Sequence, residues 1–333
     1  MRIDGTKNAD TLVGALKEMN DIWGHGGDDL AAGGMLGDTI QGGKGDDYIF
    51  AGGGNDTISG NTGNDTLLGT EGDDRISGGE GNDAVSGGKG NDVASGGKGD
   101  DVMHGNTGDD IVMGGSGNDS VSGDAGNDWL DGGSGNDVVS GGSGNDTVAV
   151  SSGNDVYSGG DGTDTLDFTR VAGSVNVDLS KGSASFGSGK HITTDKISGF
   201  EIVAGNDGNG HYQGADKSAT WFIGGAGNDW FRGKGGSDTL TGGKGADTFA
   251  YLKKDTSGGG GGGGVDKITD FQAGTDHLDM RDFLKGHASY SESVRFADAG
   301  ADTKVQGLVN HQWVDVAVLQ GVDSHSVDFS ILT

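Results

Sequence analysis

The chain has 333 residues, of which 31% are hydrophobic and 74 are glycine, and it carries a formal net charge of −29. That acidity excludes nucleic acid as a default partner and fits a surface neutralised by metal. The absence of cysteine excludes a disulfide framework and thiol chemistry, and no apolar run approaches a membrane span, so no transmembrane segment is expected. Proline is absent as well, as suits a chain of stacked strands whose ladder bonds proline would delete.

Residues 1–23 read as a degenerate N-terminal cap. Asp4-Gly5-Thr-Lys-Asn-Ala-Asp10-Thr-Leu12 is a repeat unit with substituted glycines, and Leu16, Met19, Ile22 and Trp23 are available to cover the open end of a solenoid. A short helix is expected at Leu16–Asn20. The first residues lack the apolar core of a cleavable signal, and an N-terminal catalytic domain is not expected. Export therefore has to use a route that reads another part of the chain.

Residues 24–167 are sixteen nine-residue units in unbroken register, as in Gly42-Gly-Lys-Gly-Asp-Asp47-Tyr-Ile49-Phe50. Position 4 is glycine in all but one unit, where Leu36 intrudes, and position 8 is apolar or aromatic throughout, from Ala31, Ile40 and Ile49 to Tyr157 and Leu166. Position 6 is always aspartate: Asp29, Asp38, Asp47, Asp56, Asp65, Asp74, Asp83, Asp92, Asp101, Asp110, Asp119, Asp128, Asp137, Asp146, Asp155 and Asp164. The Gly/Asn/Asp-rich hexad predicts a turn. The x-U-x triplet predicts a three-residue strand with U inward. Two units make one coil, so stacking sets like aspartates about 4.8 Å apart.

Carboxylates at that spacing repel, and a hard divalent cation between coils removes the repulsion. Calcium fits a donor set of carboxylates and carbonyls, whereas zinc or copper would want His and Cys. Two files of calcium ions are expected, one along each edge. Without calcium, one buried side chain per unit cannot offset the backbone entropy of nine residues, and the same composition predicts a disordered chain.

This stretch resembles the RTX (repeats-in-toxin) family of secreted bacterial proteins. The resemblance implies an all-β fold, a calcium-loaded parallel β-roll with two nonapeptides per turn, which folds after type I secretion. It implies little about activity, because the same roll accompanies toxins, proteases, lipases, epimerases and adhesins.

Residues 168–223 break the register and read as a degenerate β insertion. Val175-Asn-Val177-Asp-Leu179 and Ile197-Ser-Gly-Phe200-Glu-Ile202-Val203 read as strands. Gly205–Gln213 is nearly a repeat with Gly210 in the aspartate position, and Ala219 falls near that position in the next, longer unit. A second block, 224–250, adds three units with Asp229, Asp238 and Asp247 as metal ligands. Residues 251–264 form a Gly-rich loop in which Ser257 precedes seven glycines, either a flexible surface loop or a linker. Residues 265–333 are expected to form a C-terminal capping and type I secretion module similar to that of serralysin-type proteins. The tail Val327-Asp-Phe-Ser-Ile-Leu-Thr333 resembles the acidic-then-apolar ending of such export signals.

Searching for chemistry leaves no catalytic residue and no cofactor apart from calcium. The eight histidines include no H-E-x-x-H pair, and no G-x-S-x-G elbow occurs. Conspicuous carboxylate pairs such as Asp46-Asp47 and Asp109-Asp110 lie in the calcium loops. Val93, Ile111 and Trp129, and Val102, Val138 and Val156, fall at outward position 7, an exposed apolar ladder of the kind that marks docking surfaces or lies under a cover. The expected function is a secreted, non-enzymatic calcium-binding protein for adhesion, matrix or surface-layer assembly, or host contact. Its partners would be calcium, the secretion machinery at the C-terminus, and a cell-surface glycan, a protein or further copies of itself. A hydrolase or epimerase hidden in 168–223 or 265–333 is the enzymatic alternative. An ice-binding roll is the third, disfavoured because position 3 is threonine only at Thr62 and Thr107.

Overall fold

A computed structural model describes residues 1–189, 191–256 and 263–332. They form two compact units, Met1–Leu166 with Ser198–Phe200, and Asp167–Ile197 with Glu201–Thr333.

The first unit is a parallel β-roll. Tyr48–Gly53 pairs in parallel with Thr66–Glu71, placing Tyr48 opposite Thr66 and Ile49 opposite Leu67. Thr57–Thr62 pairs in the same way with Arg75–Glu80, so alternate units build opposite sheets. Position 8 supplies one inward column per sheet: Ile40, Ile58, Ile76 and Ala94 in one, Ile49, Leu67, Val85 and Met103 in the other, all buried. Each such side chain contributes about 1.5–3 kcal/mol when fully buried.

The strands are longer than the repeat suggests. Most run six residues, through position 3 of the following unit, as in Ala84–Lys89, while Thr147–Ala149 and Thr165–Asp167 keep the three of x-U-x. Position 2 keeps its place in the pairing while turning the chain, with φ of +118° at Gly43 and +113° at Gly52. Only five non-glycine residues of the repeat block adopt positive φ, and all sit at position 2: His25, Asn61, Thr70, Asn106 and Asp124. Position 1 is the second inward residue of each strand, buried at Gly42, Gly60 and Gly69.

The cap differs from expectation at Leu16–Asn20, which forms a turn and no helix. The Asn20 side chain closes it, accepting from Ala15 N at 2.8 Å and donating to the Ala15 and Glu18 carbonyls. Leu16 and Met19 point into solvent, and Ile22 alone of the four apolar cap residues is fully buried.

The second unit opens with three antiparallel strands, Ser174–Asp178, Ser183–Ser188 and His191–Ser198. The run expected to continue from Ile197 to Val203 is broken at Gly199, where φ is +68°, and pairing resumes at Ile202–Ala204. From there the coil returns: Ile202–Ala204 pairs in parallel with Trp221–Ala226, and Gly210–Gln213 with Trp230–Arg232. Its core is aromatic, with Tyr212, Phe231 and Phe249 stacked at successive centroid distances of 5.2 Å. Val294–Ala299, Asp302–Val309 and Gln312–Leu319 form an antiparallel meander. Its last strand pairs in parallel with Asp266–Ile268. The tail folds onto this unit, with Ile331 and Leu332 buried and Leu332 bridging Leu278. Residues 257–262 of the Gly-rich loop lie outside the described residues.

Candidate metal centre

Each position-6 aspartate sits at the end of the turn that precedes a strand, carboxylate inward, and is no more than 4% exposed in the repeat block. Its Oδ1 is occupied. The Asp47 amide donates to Asp65 Oδ1 at 2.8 Å, Asp65 to Asp83 at 2.8 Å and Asp83 to Asp101 at 2.7 Å. The other file repeats this from Asp38 to Asp56 at 2.6 Å and from Asp56 to Asp74 at 2.8 Å. The two files continue to Asp155 and Asp164.

The second oxygen is different. Oδ2 of Asp29, and of every position-6 aspartate from Asp47 to Asp146, is buried without a hydrogen-bond partner. An orphaned, charged oxygen at such depth is costly. Burial accordingly pushes the carboxyl up, to about 6 at Asp47, Asp74 and Asp101 and to about 7 at Asp56, Asp65 and Asp110. Position 1, glycine in every unit but those that open with Ala51 and Val150, faces this oxygen. A Cβ on Gly60 would stand 2.1 Å from Asp65 Oδ2 and 2.8 Å from the Gly78 carbonyl oxygen of the next coil. A carboxylate oxygen and a main-chain carbonyl converge in this way at Gly69, Gly78 and Gly96 as well, the hard donor set of a calcium site. Among the described residues no three His, Cys, Asp or Glu side chains cluster to hold a metal. Main-chain oxygens therefore have to complete any site built on these aspartates.

Two aspartates depart from the pattern. Asp38 Oδ2 accepts from the Gly34 amide at 2.6 Å. Asp155 Oδ2 accepts from the Tyr157 hydroxyl at 2.7 Å.

In the second unit the Asp229 amide donates to Asp247 Oδ1 at 2.9 Å, and Oδ2 of Asp229, Asp238 and Asp247 has no partner. Gly210 and Thr220 keep the donor role without a carboxylate of their own, giving their amides to Asp229 at 2.5 Å and Asp238 at 2.7 Å. Thr220, and not Ala219, therefore holds the aspartate position of that coil.

The ladder also runs beyond the repeats. Asp238 N donates to Asp266 Oδ1 and Asp247 N to Asp276 Oδ1, both at 3.0 Å. Asp266 and Asp276 are buried, and burial raises the carboxyl of each. Sequence reasoning missed both, although Asp266-Lys-Ile268 and Asp276-His-Leu278 retain the D-x-U triplet. It also missed a second, exposed ladder at position 5, where Asp46 Oδ1 accepts from Asn64 N at 2.7 Å and Asn64 Oδ1 from Asn82 N at 2.8 Å. The outward apolar residues align as expected, Val93 with Ile111 and Ile111 with Trp129, and Val102, Ile111, Val138 and Val156 are exposed.

The family model of the RTX calcium-binding nonapeptide repeat, in four copies, matches residues 32–67, 59–94, 86–121, 104–139, 113–148, 131–166 and 220–250. This chain is an RTX repeat protein. The matched residues of the RTX protein carry position-6 aspartates of both blocks, from Asp38 to Asp164 and from Asp229 to Asp247. Among curated proteins none matches the chain. Among solved structures it is similar to an extracellular lipase from Serratia marcescens, at 18% identity and a TM-score of 0.21 over 62% of this chain. The match spans 39% of that lipase.

Proposed function

We propose that the RTX protein is an extracellular calcium-binding protein whose folding is driven by calcium and which serves adhesion, matrix or surface-layer assembly, or host contact. The observation that carries this reading is the file of buried Oδ2 atoms without hydrogen-bond partners. Asp29 to Asp164 in the first block and Asp229, Asp238 and Asp247 in the second would hold the ions together with main-chain carbonyls. Asp38 and Asp155 are the weakest members, because their Oδ2 atoms already accept hydrogen bonds. Calcium supplies the positive charge these carboxylates lack and takes six to eight oxygens in flexible geometry. In the division of labour we propose, residues 1–23 cap the roll of 24–167. Residues 168–223 interrupt it, 224–250 resume it, 251–264 form a loop, and 265–333 close the fold and carry the type I export signal.

The test is circular dichroism across a calcium titration. A disordered spectrum in EDTA, a steep transition to β structure at millimolar calcium and a poor response to magnesium are expected. A chain fully folded in EDTA refutes the reading.

A further inference from the structure

The second unit contains a cavity of about 710 Å³ whose chemistry is opposite to that of the chain as a whole. Three lysines, Lys253, Lys254 and Lys285, and two histidines, His287 and His311, line it against a single carboxylate, Asp282. In a chain with 22 basic and 51 acidic side chains, such a concentration of cations in one concavity stands out.

Asp282 does not cancel the lysines. Its Oδ2 accepts from the Lys253 amide at 2.9 Å and its Oδ1 pairs with Lys285 Nζ at 2.6 Å. It therefore fixes the lysine-bearing backbone and neutralises Lys285. Lys253 Nζ donates to the Lys285 carbonyl at 3.3 Å, a neutral acceptor, and shares the field of Asp282 with Lys285. One carboxylate faces three lysines, so the cluster keeps net positive charge for an anion.

The opposite rim is a two-residue turn joining Asp302–Val309 to Gln312–Leu319, with φ of +49° at Asn310 and +64° at His311. A hairpin turn with two left-handed residues favours Asn followed by Gly. An imidazole in the glycine position is strained backbone of the kind found at binding sites, and it places ring N–H donors at the rim. Leu252, Leu308 and Val309 give the cavity apolar wall between its polar groups.

From this arrangement we infer that the cavity binds an acidic saccharide, its sulfate or carboxylate groups held by Lys253 and Lys254 and its ring faces against the leucine and valine side chains. The volume lies within the range of about 300–1,000 Å³ of small-ligand sites, more room than one inorganic oxyanion fills. The inference deepens the reading of the chain as an extracellular contact protein and is independent of the aspartate ladder.

The experiment is titration calorimetry of the full chain in millimolar calcium with three probes: a heparin-derived sulfated disaccharide, its unsulfated counterpart and inorganic sulfate. Binding of the sulfated disaccharide is expected, weakening as sodium chloride rises. The unsulfated sugar and inorganic sulfate should bind at least about tenfold more weakly, since removing one charge-assisted hydrogen bond is a tenfold-scale effect. Lys253→Gln with Lys254→Gln should weaken the disaccharide by about tenfold or more. His311→Gly, which relaxes the turn, should weaken it by a smaller factor in a chain that melts no lower. No binding by the folded wild type, equal binding of inorganic sulfate, or unchanged affinity in both variants overturns the inference. A chain that folds with calcium but ignores the sugar refutes this cavity alone, whereas folding in EDTA refutes the calcium reading and leaves the cavity untouched.

Discussion

The Tyr157 hydroxyl donates to Asp155 Oδ2 at 2.7 Å and itself accepts from the Ser151 amide at 3.1 Å. Asp155 therefore has inside the roll a neutral partner that Asp137 and Asp146 lack. Tyr157→Phe keeps the packing of the inward ring and removes the hydroxyl that donates to Asp155 Oδ2. Without calcium the variant should lose about 1–3 kcal/mol of stability, the cost of an unsatisfied buried acceptor. With calcium it should bind one ion more than the wild type and recover most of that loss. Calcium titrations of both chains followed by circular dichroism, melting curves at saturating calcium and a calorimetric stoichiometry check this. An unchanged ion count means that the hydroxyl is not standing in for metal.

Asp101→Asn separates the two oxygens of one ladder rung. Asn keeps an acceptor for the Asp83 amide, which now bonds Asp101 Oδ1 at 2.7 Å, and removes the buried charge. The variant should be at least as stable as the wild type in EDTA. In calcium it should be less stable, by about 1–3 kcal/mol. Asp101→Ala should lower calcium cooperativity and melting temperature more than Asp29→Ala, because breaking a central interface of a one-dimensional array also uncouples its halves. Equal effects at the two positions, read from melts at fixed calcium, would show that the sites act independently.

Acid should partly replace calcium. Burial raises the folded-state carboxyls to about 6 at Asp74, Asp92 and Asp128, and to about 7 at Asp56, Asp65 and Asp110, against an ordinary value of 3.8. Between those values the folded metal-free chain holds more protons than the unfolded one, so its stability falls as pH rises. The contribution is fully present below about 4 and is lost as pH climbs through 6 to 7. Circular dichroism in EDTA should show β structure increasing from pH 8 to pH 5, and the calcium midpoint should move to higher concentration as pH falls. A metal-free chain equally disordered at both pH values contradicts this.

Two glycines of one turn should respond by different amounts. Gly97, at position 2 with φ of +118°, corresponds to Asn61 and Asn106, which stand there at +77°. A Cβ on Gly97 would lie 2.2 Å from the Gly79 carbonyl oxygen, so Gly97→Asn should destabilise, but by less than a change at Gly99, because the backbone at position 2 can turn to the φ of Asn61 and Asn106. Gly99, at position 4, has φ of +121°, and a Cβ there would lie 2.0 Å from the Gly81 carbonyl oxygen. Gly99→Ala should cost more than about 2 kcal/mol and broaden the calcium transition. Thermal melts of the two variants at saturating calcium decide it.

What could be read from the sequence follows period. Position 8 and position 6 recur in phase, so the inward columns Ile40–Ile58–Ile76 and Ile49–Leu67–Val85 and the aspartate files were legible from the residues alone. Asp266 and Asp276 were not, because their ladder bonds span 28 and 29 residues in place of 18. The position-5 ladder had a visible signal, Asp or Asn in every unit except those of Gly37 and Thr163, but its meaning needed the side-chain direction. At Tyr157 the pattern counted only an inward ring. Its hydroxyl acts on a partner two residues away, and no periodicity reports that. At Leu16–Asn20 a turn replaces the expected helix, because the asparagine side chain answers the Ala15 amide and carbonyl that a helix would have used.

The inner ladder has a direction. In each rung the earlier aspartate gives its amide and the later one receives it, as Asp47 does to Asp65 and Asp65 to Asp83. The outer ladder points the other way, with Asn64 giving its amide back to Asp46. A nascent roll growing from its N-terminal side therefore always exposes unanswered amides on the inside, and each coil waits for its successor to be locked. Growth from the C-terminal side presents the aspartate acceptors first and leaves the position-7 amides open instead, as Thr66 N waits for the Asp47 carbonyl. The two edges of a partly formed roll are therefore chemically different, one offering buried aspartate amides and the other buried carboxylates.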